Sequence, residues 1–151
     1  MKKLAIIILA ALCVCSCASN HTPSDNAAEL RFKDGKFKIA QFTDIHLHPE
    51  DPKSGPVADT LLAVLERERP DLVVMTGDIV THRPAEKGWR YIMDMMAKAG
   101  IPYAVTMGNH DPENMERDSI YNILAAGPLY VVEKGAADMQ GCSKYILPIL
   151  A

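Results

Sequence analysis

Three apolar runs, each closing on a polar cluster, constrain this chain more than any other feature of its sequence. Residues 37–42 lead into Asp44-Ile45-His46, residues 72–75 into Gly77-Asp78, and residues 102–107 into Gly108-Asn109-His110-Asp111. The clusters recur about thirty residues apart, with a helix-length amphipathic segment between successive runs. Strands alternating with helices predict parallel strands joined by right-handed crossovers. In such a sheet the strand ends that carry ligands share one edge. The three clusters therefore predict one site, built along one edge of an α/β sheet.

The remaining elements follow from local chemistry. Asp34-Gly35 predicts a tight hairpin within residues 31–38. Residues 48–55 read as a Pro-rich loop, after which Pro56 opens a helix with Val57, Leu61, Leu62, Val64 and Leu65 on one face. Trp89, Ile92, Met93 and Met96 recur at helical spacing within residues 85–99, and Gly100 ends that helix. The methionines read as core filler. Asp118 is placed to cap a third helix through Leu124, ended by Gly127-Pro128. Residues 129–133 and 144–150 read as two further strands with no helix between them, which predicts an antiparallel pair. The apolar run of residues 143–151 is followed by no cap or polar tail, and is expected to be the cut end of a truncated domain.

The first residues belong to another class. Lys2 and Lys3 precede an apolar stretch over residues 4–14, too short to span a bilayer and placed like a secretory leader. It closes on Val14-Cys15-Ser16-Cys17, which resembles the lipobox of bacterial lipoproteins, with Cys17 as the lipid-bearing residue. An ordinary signal peptide is the alternative. Residues 1–17 are thus read as leader, 18–29 as a flexible tether, and 30–151 as the domain, exported and held at the cell envelope. Cys13, Cys15 and Cys17 fall in the leader, so Cys142 alone cannot found a disulfide framework and reads as a small buried hydrophobe. A net charge of −3 with 48% hydrophobic residues describes an ordinary globular chain and argues against a nucleic-acid partner.

The clusters carry metal chemistry. Asp44 and His46, two apart, would point to one face of a straight strand. Asp78 follows a glycine that leaves room for a cation, and Asn109 offers a neutral carbonyl oxygen. Oxygen and nitrogen donors without thiolate favour Mn, Fe or Zn. Taken singly, each cluster also reads as a turn; their coincidence at equivalent strand ends favours a site.

These three blocks, in this order and at this spacing, resemble the opening motifs of the calcineurin-like metallophosphoesterases. The texture is similar to purple-acid-phosphatase-related bacterial lipoproteins. The resemblance covers residues 36–151 and implies a metallophosphoesterase-type β-sandwich flanked by helices, of which this chain supplies the N-terminal part. It implies two divalent or trivalent ions (Mn, Fe or Zn class), with Asp44 and His46 on one, Asp78 bridging and Asn109 on the other. Two dications about 3.5 Å apart repel by roughly 19 kcal/mol at an effective dielectric near 20, so anions must lie between them. The resemblance further implies a phosphoester substrate attacked by a hydroxide shared between the ions, with His110 as proton donor and Asp111 orienting it.

Two departures stand beside it. The family supplies three more histidines downstream, whereas no histidine follows Asp111 here. Thr81 stands where the purple acid phosphatases carry a metal-bound tyrosine, so their colour is not expected. His48 and His82 match no ligand position and read as structural or surface residues. The rival readings are a membrane-tethered binding module with an incomplete metal site, and a phosphodiesterase or nuclease on the same scaffold.

Overall fold

A computed structural model describes residues 28–151 of the chain. The leader and nearly all of the expected tether lie outside these residues.

The fold is α/β. β1 (Ile39–Phe42), β2 (Leu72–Thr76) and β3 (Tyr103–Thr106) form a parallel sheet in the order β1-β2-β3. α1 (Ser54–Glu68) joins the first pair and α2 (Ala85–Ala99) the second. Consecutive crossovers of one hand that step across a sheet in one direction place their helices on one face. Ala58, Leu61 and Leu65 of α1 and Trp89, Ile92, Met95 and Met96 of α2 are accordingly buried on the same side. Val73, Met75, Tyr103 and Val105 meet them from the sheet, and Ile120 and Leu124 of α3 (Arg117–Ala125) complete that core.

Alternate residues point the other way. Leu72 and Ala104 are buried there with Leu30, Val131 and Val132, and half-buried Phe37, Val74, Tyr145, Leu147 and Ile149 pack around them. Covering on both faces explains why β2 is an unbroken apolar run rather than an alternating one.

The helices end where the chemistry requires. Arg69 takes a left-handed conformation (φ 43°) and returns its N–H to the Leu65 carbonyl. Gly100 does the same after α2 at φ 68°. α2 has the predicted bounds. α1 begins at Ser54, two residues before Pro56, with the Ser54 hydroxyl accepting the His48 N–H at 3.0 Å. The hairpin forms at Asp34-Gly35, where Lys33 and Lys36 exchange bonds of 2.9 and 3.0 Å.

Three local expectations fail. Glu116, not Asp118, occupies the cap position of α3, with no side-chain cap bond; Asp118 lies in the first turn and pairs with Lys134 at 3.5 Å. A carboxylate there still faces the positive end of the helix. The two late strands form no antiparallel ladder. Residues 129–131 instead run parallel beside β3, with Tyr103 donating to Leu129 at 2.9 Å and Val131 donating to Tyr103 at 3.0 Å. Leu150 bonds instead to Leu30 and Phe32, so each segment's backbone groups are committed elsewhere. Cys142 is half-buried rather than buried. Among the described residues, no helix is long and apolar enough to cross a membrane.

Candidate metal centre

The three clusters emerge together at the C-terminal ends of β1, β2 and β3. Beyond the sheet, two of the loops stay zipped. Asp44 donates to Gly77 (3.1 Å), His46 to Asp78 (2.9 Å) and Leu47 to Ile79 (2.8 Å). Asp44, His46 and Asp78 all adopt positive φ, at 53°, 48° and 53°. Asp and His enter this left-handed region more readily than most side chains, and such conformations gather at functional sites. Asp44 and His46 therefore do not share a face of a straight strand, as expected from their spacing. The strand has ended at Phe42, and a curled backbone brings the two together instead.

The convergence is close. Single ligand atoms of Asp44, His46 and Asp78 lie within 4.8 Å of one another, and Asp44 Oδ1 stands 3.7 Å from His46 Nε2. Two donors on one ion with bonds near 2.1 Å stand at most about 4.2 Å apart. Closing the site thus asks for shifts of a few tenths of an ångström in side-chain ends, and two of these residues are exposed. The Thr43 hydroxyl is 2.7 Å from Asp44 Oδ2 and 3.0 Å from the Thr76 carbonyl; its one hydrogen serves either.

Glycines set the spacing of the loops. A Cβ on Gly77 would lie 2.9 Å from the Gly108 Cα, and one on Gly108 would lie 2.2 Å from Asp78 Oδ1. Only bare backbone lets these loops pass. Asn109 follows Gly108 with its side chain exposed, and the next N–H, of His110, donates to Asp78 Oδ1 at 3.0 Å.

Asp111 is fully buried, and its carboxylate ties the loops together. Oδ1 accepts from Ile79 (2.8 Å) and Val80 (3.0 Å), and Oδ2 from Asp78 (2.9 Å) and Gly108 (2.8 Å). It makes no hydrogen bond to the His110 ring. That partner is Glu113, whose Oε1 lies 2.7 Å from His110 Nδ1 and whose carboxylate raises the imidazole above its ordinary pKa. Glu113 lies outside the motifs that single out the other site residues. The signal available was its three-residue spacing from His110 across Pro112, in a segment that forms a single 3₁₀ turn (Asp111–Glu113).

The His110 and His46 rings are 6.2 Å apart. Thr81, in place of the tyrosine, lies 3.3 Å from His46 Nδ1 and 3.0 Å from His82 Nδ1. His82 stacks on His48 at 4.6 Å, beside the ligand group and outside it.

Residues 37–144 match the family described as calcineurin-like phosphoesterase. A Saccharomyces cerevisiae protein named phosphatase DCR2 is 36% identical over 140 residues, which cover 78% of this chain and 24% of that protein. A probable cyclic nucleotide phosphodiesterase of Psychrobacter arcticus is 33% identical over 103 residues, 59% of this chain and 36% of that one. A probable inactive purple acid phosphatase (number 28) of Arabidopsis thaliana is likewise 33% identical over 103 residues, 56% of this chain and 26% of the plant protein. The chain spans about a quarter to a little over a third of the length of these curated relatives.

Proposed function

The chain belongs to the calcineurin-like phosphoesterase family, and from that premise we propose that it carries part of a metal-dependent phosphoester hydrolase. The observation that supports this most is the meeting of Asp44, His46 and Asp78 within 4.8 Å at the strand ends. Their two carboxylates and one imidazole suit ions of the Mn, Fe or Zn class. In this reading Asp44 and His46 would hold one ion and Asn109 a second, with Asp78 serving both. Bound ions would supply an activated water and offset charge on the phosphoryl oxygens.

The protein's own groups supply the rest. Asp111 holds the Asp78 and Gly108 loops in register, so that ligands from two strands face one point. His110 donates a proton to the leaving oxygen, which otherwise departs as an unstable alkoxide. The three-stranded sheet is read as part of the larger helix-flanked sandwich. The pattern of residues 1–17 supports export and a lipid tether at Cys17.

Relatives named as a phosphatase and as a cyclic nucleotide phosphodiesterase support monoesters and diesters alike. The test is hydrolysis of p-nitrophenyl phosphate and of bis(p-nitrophenyl) phosphate with Mn²⁺ or Zn²⁺ added. Metal-dependent turnover of either, lost in Asp78→Ala, supports the reading and assigns the ester class. Metal binding without turnover of either favours the binding-module reading.

A further inference from the structure

His110 has one committed ring nitrogen and one free one. Nδ1 sits 2.7 Å from Glu113 Oε1, while among the described residues Nε2 has no hydrogen-bond partner. The neighbouring carboxylate, Asp111, cannot take this task, because both of its oxygens already accept two backbone N–H groups. The local backbone brings Glu113 into place. The Glu113 N–H donates to the His110 carbonyl at 3.1 Å, closing a 3₁₀ turn in which side chains three apart lie over one another.

Resting on the hydrolase reading above, we infer that Glu113 is a positioning residue for His110. Its carboxylate accepts the Nδ1–H, fixes the plane of the ring and leaves Nε2 to serve the leaving oxygen. The hydrolysis balances as follows. Water's oxygen bonds to phosphorus, and the ester P–O bond breaks with its electron pair on the leaving oxygen. That oxygen takes the proton from Nε2. The ring is left neutral with its hydrogen on Nδ1, and the proton lost by the attacking water restores its charge. Both side chains are about half exposed, at 45% and 55%. Solvent therefore weakens the pair as a source of stability, and what it supplies is orientation.

The test has two arms, run on the full chain with Glu113→Ala and Glu113→Gln. Because Glu113 is exposed, both variants are expected to keep the fold, checked by circular dichroism. In the first arm, ¹⁵N NMR of the His110 side chain, without added metal, reads the neutral tautomer. The wild type and Glu113→Gln, whose amide oxygen still accepts, are expected to hold hydrogen on Nδ1. Glu113→Ala is expected to shift toward the Nε2–H form. In the second arm, kcat is compared on p-nitrophenyl phosphate, which needs little proton assistance, and on an alkyl phosphate, which needs much. Glu113→Ala should lose about 10- to 100-fold more on the alkyl ester, within the range of general-acid effects, and Glu113→Gln should recover most of it.

An unchanged tautomer in Glu113→Ala overturns the inference whatever the activity. Equal losses on the two esters overturn its leaving-group side. A wild-type chain that hydrolyses neither of these monoesters nor bis(p-nitrophenyl) phosphate defeats the hydrolase reading, while a Glu113-dependent tautomer would leave the pairing established.

Discussion

Replacing Asp111 with asparagine exchanges one carboxylate oxygen for an NH₂ at almost constant volume. Each oxygen accepts two backbone N–H groups, from Ile79 and Val80 or from Asp78 and Gly108. Whichever way the amide turns, two donors face a donor. A hydrogen bond to a charged acceptor contributes about 1.5–3 kcal/mol, so losing two costs about 3–6 kcal/mol. The side chain is fully buried, so water cannot replace them. Against a typical domain stability of about 5–15 kcal/mol, such a loss leaves the fold marginal. In urea, with a slope near 2 kcal/mol per molar, the midpoint should fall by about 1.5–3 M. Asp59→Asn, at an exposed position of α1, is the control and should stay within about 0.5 kcal/mol. A midpoint shift below about 0.5 M for Asp111→Asn would show that this carboxylate does not clamp the loops.

Gly108→Ala places a Cβ 2.2 Å from Asp78 Oδ1 and 2.6 Å from the Asp78 nitrogen, which Asp111 already holds. It should lower stability by about 1–3 kcal/mol, read by thermal unfolding, and weaken metal binding by displacing the central ligand. Asp71 is held below the ordinary carboxylate range by its bond to Lys33 Nζ and then by the Lys38 N–H. A carboxyl whose folded pKa is depressed stabilises the fold above its unfolded pKa and loses that contribution as pH falls through the folded one. Wild type should thus unfold at a higher temperature than Asp71→Asn near neutrality. The gap should close as pH falls below the carboxylate range, and a gap independent of pH would refute this.

The elements that repeat were the ones legible in the sequence. Trp89, Ile92 and Met96 announce the buried face of α2, and Gly100 its end, because spacing and a left-handed stop act within a few residues. Parallel order follows from alternation alone. What escaped depends on contacts between distant residues. Residues 129–133 carry strand-like composition, yet their partner is β3 rather than the segment near Leu150. Asp44 and His46 stand 3.7 Å apart, and positive φ rather than strand pleat brings them together. The Gly108-Asn109-His110-Asp111 motif, read as a string of residue types, does not show which way each side chain faces. Burial turns Asp111 inward to four backbone amides, and exposed Glu113 takes the ring.

Calorimetric titration of Mn²⁺ or Zn²⁺ into the full chain asks most directly whether Asp44, His46 and Asp78 act as one ligand group. The geometry predicts saturable binding in the wild type and at least tenfold weaker binding in folded Asp44→Ala and Asp78→Ala. An isotherm that is the same in the wild type and in Asp78→Ala would contradict it.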